Sequence, residues 1–160
     1  MPRRRATGEE MSGPDPVTRL QYEANVDDLD PRVWPRVIDR LLDAGADDAW
    51  VTPIVMKKGR PAFTLGALCA PDVAEAVRRV IFTETSTIGL REATVQKYAL
   101  DRSTTTVEVG GHEVDVKLAR LDDDVVNRSV EWDHVIAAAD ALGLSAKDVL
   151  ASAIARSRGD

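Results

Sequence analysis

The sequence predicts one α+β domain with a split β-α-β core. Two observations support this class. In several short runs apolar and polar residues alternate, as in half-buried strands, and in others apolar residues recur at helical spacing. The 160 residues, 44% of them hydrophobic, suffice for one domain with its own core. Residues 1–18 show neither pattern, so we expect a disordered tail there and the domain in residues 19–160.

The domain is predicted to begin with a strand and a helix. Residues 19–25 alternate and form the strand. Asp30 followed by proline is typical of a helix N-cap, and Gly45 is a natural C-terminal stop. Pro35 removes a backbone donor inside this helix, so we expect its first turn to be distorted or separate.

The next four elements complete the core. They are strands at 49–56 and 61–68, a helix that begins at the capping-box pattern of residues 72–75 and closes within 83–89, and a strand at 90–100. The resulting order, β-α-β-β-α-β, is that of a ferredoxin-like fold, an antiparallel sheet with helices on one face.

A β-hairpin and two C-terminal helices are predicted to follow. Residues 104–109 and 112–118 flank a Gly-Gly pair, which is a strong hairpin signal. A helix is expected over residues 129–142, and Ser145 is expected to cap a last one. The first of these helices is predicted to turn four residues inward: Trp132, Val135, Ile136 and Ala139.

Composition limits the classes of function. The net charge of −6 argues against nonspecific nucleic-acid binding. No apolar stretch approaches the length of a membrane span, and no apolar run follows the N-terminal arginines, so a cytoplasmic protein is expected. The one cysteine, Cys69, lies in an apolar run, which favours a buried thiol over a reactive one.

A first candidate site is acidic. Four carboxylates and an amide fall within residues 23–30, and they repel one another unless a cation lies among them. Asp27 and Asp28 come just after a strand end, and carboxylate oxygens suit Mg²⁺ or Mn²⁺ with phosphate as co-ligand. The alternative, helix capping by Asp30 with solvated charge elsewhere, stays open.

A second candidate site is basic. Lys57, Lys58 and Arg60 surround Gly59 at a predicted turn. Glycine lets a backbone approach an anion closely, and these cations suit phosphate oxygens. The alternative is an ordinary solvated turn.

Other polar residues are weaker candidates. Residues 83–91 are rich in hydroxyls, including Thr85 and Thr87, and end in Gly89 and Arg91, which suits phosphate or sugar as well as a simple helix end. Lys117 could face an anion or solvent. The two histidines are expected to be exposed or polar-facing, and they form no convincing soft-ligand cluster with Cys69.

Several motifs, in order, resemble the C-terminal half of the LarC-type nickel insertion proteins, over about residues 20–150. The motifs are Glu-Ala-Asn-Val-Asp-Asp at 23–28, Gly-Ala at 45–46, Thr-Pro-Ile at 52–54, Met-Lys-Lys-Gly-Arg-Pro at 56–61, Glu-Thr-Ser-Thr-Ile-Gly-Leu-Arg at 84–91, Leu-Asp-Arg at 100–102 and Val-Asp-Val-Lys at 114–117. Two departures are Val-Glu-Trp at 130–132, where the family has Pro-Glu-Tyr, and the lack of the usual glycine in 121–126.

The resemblance implies a function and roles for the residues. The implied activity is CTP-dependent insertion of nickel into pyridinium-3,5-bisthiocarboxylic acid mononucleotide, with Mg²⁺ or Mn²⁺, to form the nickel-pincer nucleotide cofactor of lactate racemase. It implies a lyase-class nickel insertase that forms trimers or hexamers. The implied metal ligands are Asp27 and Asp28, the catalytic cations are Lys57, Lys58 and Arg60, and the nucleotide-binding residues are Asn25, Thr85, Thr87, Arg91 and Lys117.

Because the family's first half is missing, the chain is expected to be at most a separately encoded C-terminal component, which could need an N-terminal partner. The alternative is a non-catalytic nucleotide- or anion-binding module that scaffolds such a partner, since fold alone does not decide function.

Overall fold

The structure is a computed structural model that describes residues 14–159. It divides into two compact units, one at Pro16–Lys97 and one that includes residues 98–159. Most of the predicted tail lies outside the described residues, and the first strand begins at Val17, inside the span predicted as tail. The single α+β nucleotide- and metal-binding domain predicted over residues 19–160 stays a prediction.

Seven strands and four helices are present in residues 14–159. In chain order they are β1 Val17–Val26, α1 Trp34–Asp43, β2 Ala46–Met56, β3 Arg60–Cys69, α2 Ala74–Glu84, β4 Arg91–Lys97, β5 Asp101–Val109, β6 His112–Leu121, β7 Asp124–Val130, α3 Trp132–Leu142 and α4 Ala146–Arg156. The predicted α+β class is confirmed. None of the described helices is long and apolar enough to cross a membrane.

The first unit is the predicted β-α-β-β-α-β core. Its sheet has the strand order β2-β3-β1-β4, and every neighbouring pair is antiparallel. Alternation places Tyr22 and Ala24 of β1 on one buried face, where they join Leu41 of α1 and Val77 and Ile81 of α2 in one core. Burying each such leucine or isoleucine contributes about 1.5–3 kcal/mol, so this face fixes the register of the sheet.

The start of helix α1 matches the prediction, and the start of α2 does not. A separate 3-10 turn, Pro31–Val33, precedes α1, and Asp30 caps it by accepting a hydrogen bond from the backbone N–H of Arg32 at 3.0 Å. Hydrogen bonds from the Arg32 side chain and then its backbone lower the pKa of Asp30. The capping box predicted at α2 is wrong, because Pro71 opens a 3-10 turn that places Asp72 inside the turn.

The second unit contains one strand more than predicted. The hairpin of β5 and β6 turns at Gly110 and Gly111, with φ of +60° and +85°, as the Gly-Gly pair predicts. Strand β7 then pairs antiparallel with β6 to complete the order β5-β6-β7. The helix predicted from residue 129 therefore begins only at Trp132.

The inward face predicted for α3 is half wrong. Val135 and Ala139 are buried together with Ala138, whereas Trp132 is 53% exposed and Ile136 is 37% exposed. The small alanines let α3 pack closely against β6 and α4. The helix thus uses its alanine side for packing, and two of its larger side chains face outward.

Asp47 joins three strands at the end of the first sheet where β1 begins. Its carboxylate accepts hydrogen bonds from Arg19 of β1 and Lys97 of β4, both at 2.7 Å. Partial burial alone would raise the pKa of Asp47, but the hydrogen bonds from Lys97 and Arg19 outweigh it, so the pKa lies below 3.8. The pair of cations therefore stabilises the charged carboxylate in the folded state.

We expect Asp47→Asn to lower the free energy of unfolding by about 1 kcal/mol at pH 7. Because the folded-state pKa is lowered, this stabilisation is present above the ordinary value of 3.8 and is lost as the pH falls through the folded-state pKa. Urea unfolding of both proteins between pH 7 and pH 3 measures the difference. Asp140→Asn on α3 is the control, since Asp140 is exposed and forms no ion pair within residues 14–159. A difference that persists unchanged at pH 3 would contradict this account.

Candidate functional site

Three candidate motifs meet at one end of the first sheet. Strand β1 ends where β3 begins, with Val26 opposite Phe63, and β4 begins opposite Glu23. The turn between β2 and β3 lies at the same end, since Met56 pairs with Arg60. We call the residues at this end, 25–28, 57–60 and 85–91, the sheet rim.

Direct contacts hold the segments of the rim together. Arg60 donates to Asp27 at 2.9 Å, and the hydroxyl of Ser86 donates to Asp28. Asn25 accepts hydrogen bonds from Arg91 at 3.0 Å and from Thr64 at 2.9 Å. The acidic, basic and hydroxyl-rich motifs, separated by up to 66 residues along the chain, thus form one polar surface.

The two arginines of the rim are already paired. Besides the contact of Arg60 with Asp27, Arg91 forms an ion pair with Glu23 at 3.2 Å. Each of the two side chains is still more than half exposed, so its guanidinium keeps donors free for a ligand. The pairing holds each planar donor group in position, which lowers the entropy lost when an anion binds.

The two lysines of the rim are free. Lys57 and Lys58 are exposed and form no ion pair within residues 14–159. Lys58 has φ of +64°, a conformation that costs a non-glycine residue of order 1 kcal/mol or more. Gly59 follows with φ of +70°, and a Cβ there would meet no atom within 4 Å. The turn therefore presents two unpaired ammonium groups on an open, strained backbone.

The carboxylates of the rim differ from each other. Asp27 is partly buried and engaged by Arg60, whereas Asp28 is exposed, and its one side-chain hydrogen bond within residues 14–159 is with the Ser86 hydroxyl. No group of three or more His, Cys, Asp or Glu side chains in residues 14–159 is arranged to hold a metal ion by itself. One or two carboxylates suit Mg²⁺ or Mn²⁺ only when phosphate oxygens complete the coordination.

The threonines predicted to bind ligand are occupied within their loop. The Thr85 hydroxyl donates to the carbonyl of Ile81 at 2.6 Å, and the Thr87 hydroxyl donates to the carbonyl of Gly89 at 2.7 Å. A hydroxyl has one proton to donate, so these two residues shape the loop and keep only lone pairs for a ligand. Ser86, which the sequence did not single out, is the exposed hydroxyl between them.

Lys117 lies in the second unit, on β6. It is 54% exposed and forms an ion pair with Glu131 at 2.5 Å. Also in that unit, the backbone N–H of Asp115 donates to Nδ1 of the exposed His134 at 3.2 Å. His112 is half-buried rather than exposed.

The prediction of a buried thiol is confirmed. Cys69 is fully buried in the core of the first unit. Burial raises the pKa of this thiol, and the Asp47 carboxylate raises it further. A thiol that is both inaccessible and protonated is a poor nucleophile and a poor metal ligand.

We expect Cys69 to be unreactive in the folded protein. Ellman's reagent at pH 7.5 should release almost no thionitrobenzoate from the native chain and one equivalent per chain in guanidinium chloride, since the chain has one cysteine. The unfolded protein is the internal control. Rapid release from the native chain would instead show an accessible thiolate.

Comparison with known proteins identifies the family. A family model described as nickel insertion protein matches residues 5–150. The chain belongs to the nickel insertion protein family. Within this family, it is 58% identical over 139 residues to the pyridinium-3,5-bisthiocarboxylic acid mononucleotide nickel insertion protein of Nocardioides sp. strain JS614, a match that covers 87% of this chain and 35% of that protein. A putative nickel insertion protein of Myxococcus xanthus is 40% identical over 133 residues, 83% of this chain and 34% of that protein.

A solved structure extends the match to three dimensions. The C-terminal domain of a cyclometallase involved in the synthesis of the NPN cofactor of lactate racemase, in its apo form, is 31% identical with a TM-score of 0.84. The match covers 90% of this chain and 99% of that domain. The chain spans about a third of the length of the curated relatives of the nickel insertion protein family, and it has the fold of this domain.

Proposed function

We propose that this chain is the nucleotide-binding C-terminal component of a nickel insertion enzyme. The reaction is insertion of Ni²⁺ into pyridinium-3,5-bisthiocarboxylic acid mononucleotide to form the nickel-pincer nucleotide cofactor of lactate racemase, with CTP and Mg²⁺ or Mn²⁺. The family membership, the 58% identity to a protein of that name and the likeness to a cyclometallase domain support the proposal. The lyase class, the trimeric or hexameric assembly and the need for an N-terminal component are parts of the same proposal.

The charge arrangement at the rim supports a metal–triphosphate ligand. Arg60 is paired with Asp27 and Arg91 with Glu23, so among the described residues the rim keeps three charges without an ion pair: the ammonium groups of Lys57 and Lys58 and the carboxylate of Asp28. Two free cations suit phosphate oxygens, and a free carboxylate suits a hard divalent ion that phosphate also binds. An anion without a metal ion would need only the free cations, and a metal ion without phosphate would need only the free carboxylate.

The residues fit the divalent ion as partial ligands. Asp28 would hold it, with Asp27 able to contribute once Arg60 turns to the ligand, and the ion would supply charge neutralisation to the bound triphosphate. Lys57 and Lys58 would bind the phosphate oxygens as point charges, and Arg60 as a fork of donors. Lys57 and Lys58 have no ion pair to break within residues 14–159, so they would meet the charge that develops in phosphoryl transfer and lower its barrier.

The remaining predicted residues have supporting roles in this proposal. Arg91 and Asn25 would orient the nucleotide at the side of the rim next to β4, and Thr85 and Thr87 would fix the loop that carries Ser86. Lys117, which pairs with Glu131 on the second unit, stays a proposed phosphate-binding residue that would exchange Glu131 for the ligand. Nickel is the cargo, and its ligands are not assigned among the described residues.

A thermal-shift panel tests the proposal. CTP, ATP, GTP and UTP are each added with Mg²⁺, Mn²⁺, Ni²⁺ or a chelator. A ligand at a hundred times its Kd stabilises the folded state by about 2.7 kcal/mol, so CTP with Mg²⁺ or Mn²⁺ should raise the Tm by several degrees. Equal shifts for all four nucleotides, or none with CTP, would contradict the proposed specificity.

The alternative is a binding module that does not turn CTP over. It is favoured because no group of three or more His, Cys, Asp or Glu side chains in residues 14–159 is arranged to hold a metal ion, so nickel has no described binding site. Incubation with CTP and Mn²⁺, followed by chromatography of the nucleotides, separates the two. Product formed by the chain alone supports the enzyme, and intact CTP in a chain that binds it tightly supports the module.

A further inference from the structure

One face of the first sheet is not covered by the helices of its unit. Tyr22, Ala24 and Val26 face α1 and α2, so the alternating residues of β1, including Gln21, Glu23 and Asn25, face the other way. We call this second surface the open face. It ends at the rim, where Asn25 and Arg91 belong to both.

Trp50 lies flat on the open face because Gly66 has no side chain. The two residues are paired across β2 and β3. A Cβ on Gly66 would stand 2.2 Å from Cε2 and 2.5 Å from both Cζ2 and Nε1 of the indole, which places it over the ring rather than at its edge. One face of the indole therefore rests on the backbone of β3, and the other points away from the sheet.

The Trp50 indole lies in the same cross-strand row of residues as the ion pair of Glu23 and Arg91. Gly66 pairs with Glu23 as well as with Trp50, and Glu23 in turn pairs with Arg91. The row therefore runs from the indole over Gly66 to Glu23, one strand spacing of about 4.8 Å beyond Gly66, and then to Arg91. Gln21 donates to the other oxygen of Glu23 at 3.2 Å.

A concavity adjoins this row. It has a volume of about 330 Å³ and is lined by Gln21, Glu23, Arg91, Glu92 and Ala93. The size is within the range of small-ligand sites. On the open face it offers the Glu23 carboxylate to a cationic group and the Arg91 guanidinium to an anionic substituent. The Glu92 side chain faces α2 instead, where it pairs with Arg78 at 3.1 Å.

We propose that Trp50 is the stacking platform for the pyridinium ring of the mononucleotide substrate. The proposal rests on the proposed function, since it gives that substrate a place on the open face next to the nucleotide at the rim. A cationic aromatic ring is attracted to the π-face of tryptophan more strongly than to other side chains. The Glu23 carboxylate complements the ring's charge, and Arg91 can pair with an acidic substituent or the phosphate.

Nicotinic acid mononucleotide, a stable pyridinium mononucleotide, is the probe. It is titrated into the full chain while tryptophan fluorescence and calorimetry are recorded. We expect saturable quenching, a Kd that rises about tenfold in Trp50→Leu and a smaller rise in Trp50→Phe, which keeps an aromatic ring. Trp132→Leu, which removes an exposed indole of the second unit, should leave the Kd unchanged.

CTP binding in the presence of Mn²⁺ is measured on the same variants. Trp50→Leu should keep the wild-type affinity for CTP, which also shows that the variant is folded. The proposal is overturned if the wild type does not bind the probe, if Trp50→Leu binds it as the wild type does, or if the loss falls on CTP, which would place the cytosine on Trp50. Failure of the wild type to bind CTP would overturn the proposed function instead, whatever the probe does.

Discussion

Lys58→Gly should weaken the binding of CTP with Mn²⁺ about 10- to 100-fold without loss of stability. The variant removes an unpaired ammonium group from the rim, and a hydrogen bond to a charged group contributes about 1.5–3 kcal/mol. Glycine adopts the φ of +64° at this position without strain, so the turn keeps its shape. Calorimetry gives the Kd, and urea unfolding gives the free energy of unfolding.

Two further variants make this result interpretable. Lys58→Arg keeps the charge and should retain most of the affinity. Lys147→Ala is the control for loss of an exposed lysine that belongs to the second unit, with alanine chosen because glycine would weaken helix α4. A general effect of losing one positive charge would weaken CTP binding equally in Lys58→Gly and Lys147→Ala. Unchanged affinity in Lys58→Gly would remove the turn from the proposed site.

Gly66→Ala should destabilise the first unit by about 2 kcal/mol. The added Cβ would lie 2.2 Å from the Trp50 indole, so the ring has to leave its place on β3. In a Trp50→Ala background the same change should cost nothing or gain up to about 1 kcal/mol, because alanine is then favoured over glycine in a strand. Urea unfolding of the four proteins measures the coupling.

The coupling energy between Gly66→Ala and Trp50→Ala decides whether the two residues are in contact. Residues in contact have coupling energies of about 0.5–3 kcal/mol, whereas independent sites add within a few tenths. An equal effect of Gly66→Ala in both backgrounds would show that the indole does not rest on Gly66. It would also remove the geometric basis for a stacking platform on the open face.

The strength of each sequence signal decided how much of the fold was predictable. Alternation and capping gave the order of the first six elements, since a one-residue slip would expose a whole apolar face. Strand β7 gave no such signal: its turn contains Asp122, with φ of +51°, where a glycine would be expected, and the strand itself is largely polar. Helical spacing alone could not tell that α3 packs on its alanines and leaves Trp132 outside.

The candidate site was predictable as motifs and less so as geometry. The topology of a split β-α-β fold could place the three motifs at one end of the sheet, but not the pairing that occupies Arg60 and Arg91 and leaves Lys57 and Lys58 free. Glu23 lies on the same strand face as Asn25 by simple alternation, so its place beside the predicted ligand-binding residues could have been inferred. The contact of Trp50 with Gly66 depends on the register of β2 against β3, which no local pattern contains.

Metal-dependent CTP binding tests the central claim most directly. CTP is titrated calorimetrically into the chain with Mn²⁺, with Mg²⁺ and with a chelator, and the series is repeated with Asp28→Asn and with Asp140→Asn, a control on the second unit. We expect one saturable CTP site per chain, which needs either ion, is weakened at least tenfold in Asp28→Asn and is unchanged in Asp140→Asn. No binding with either ion, or equal affinity in the chelator, would contradict it.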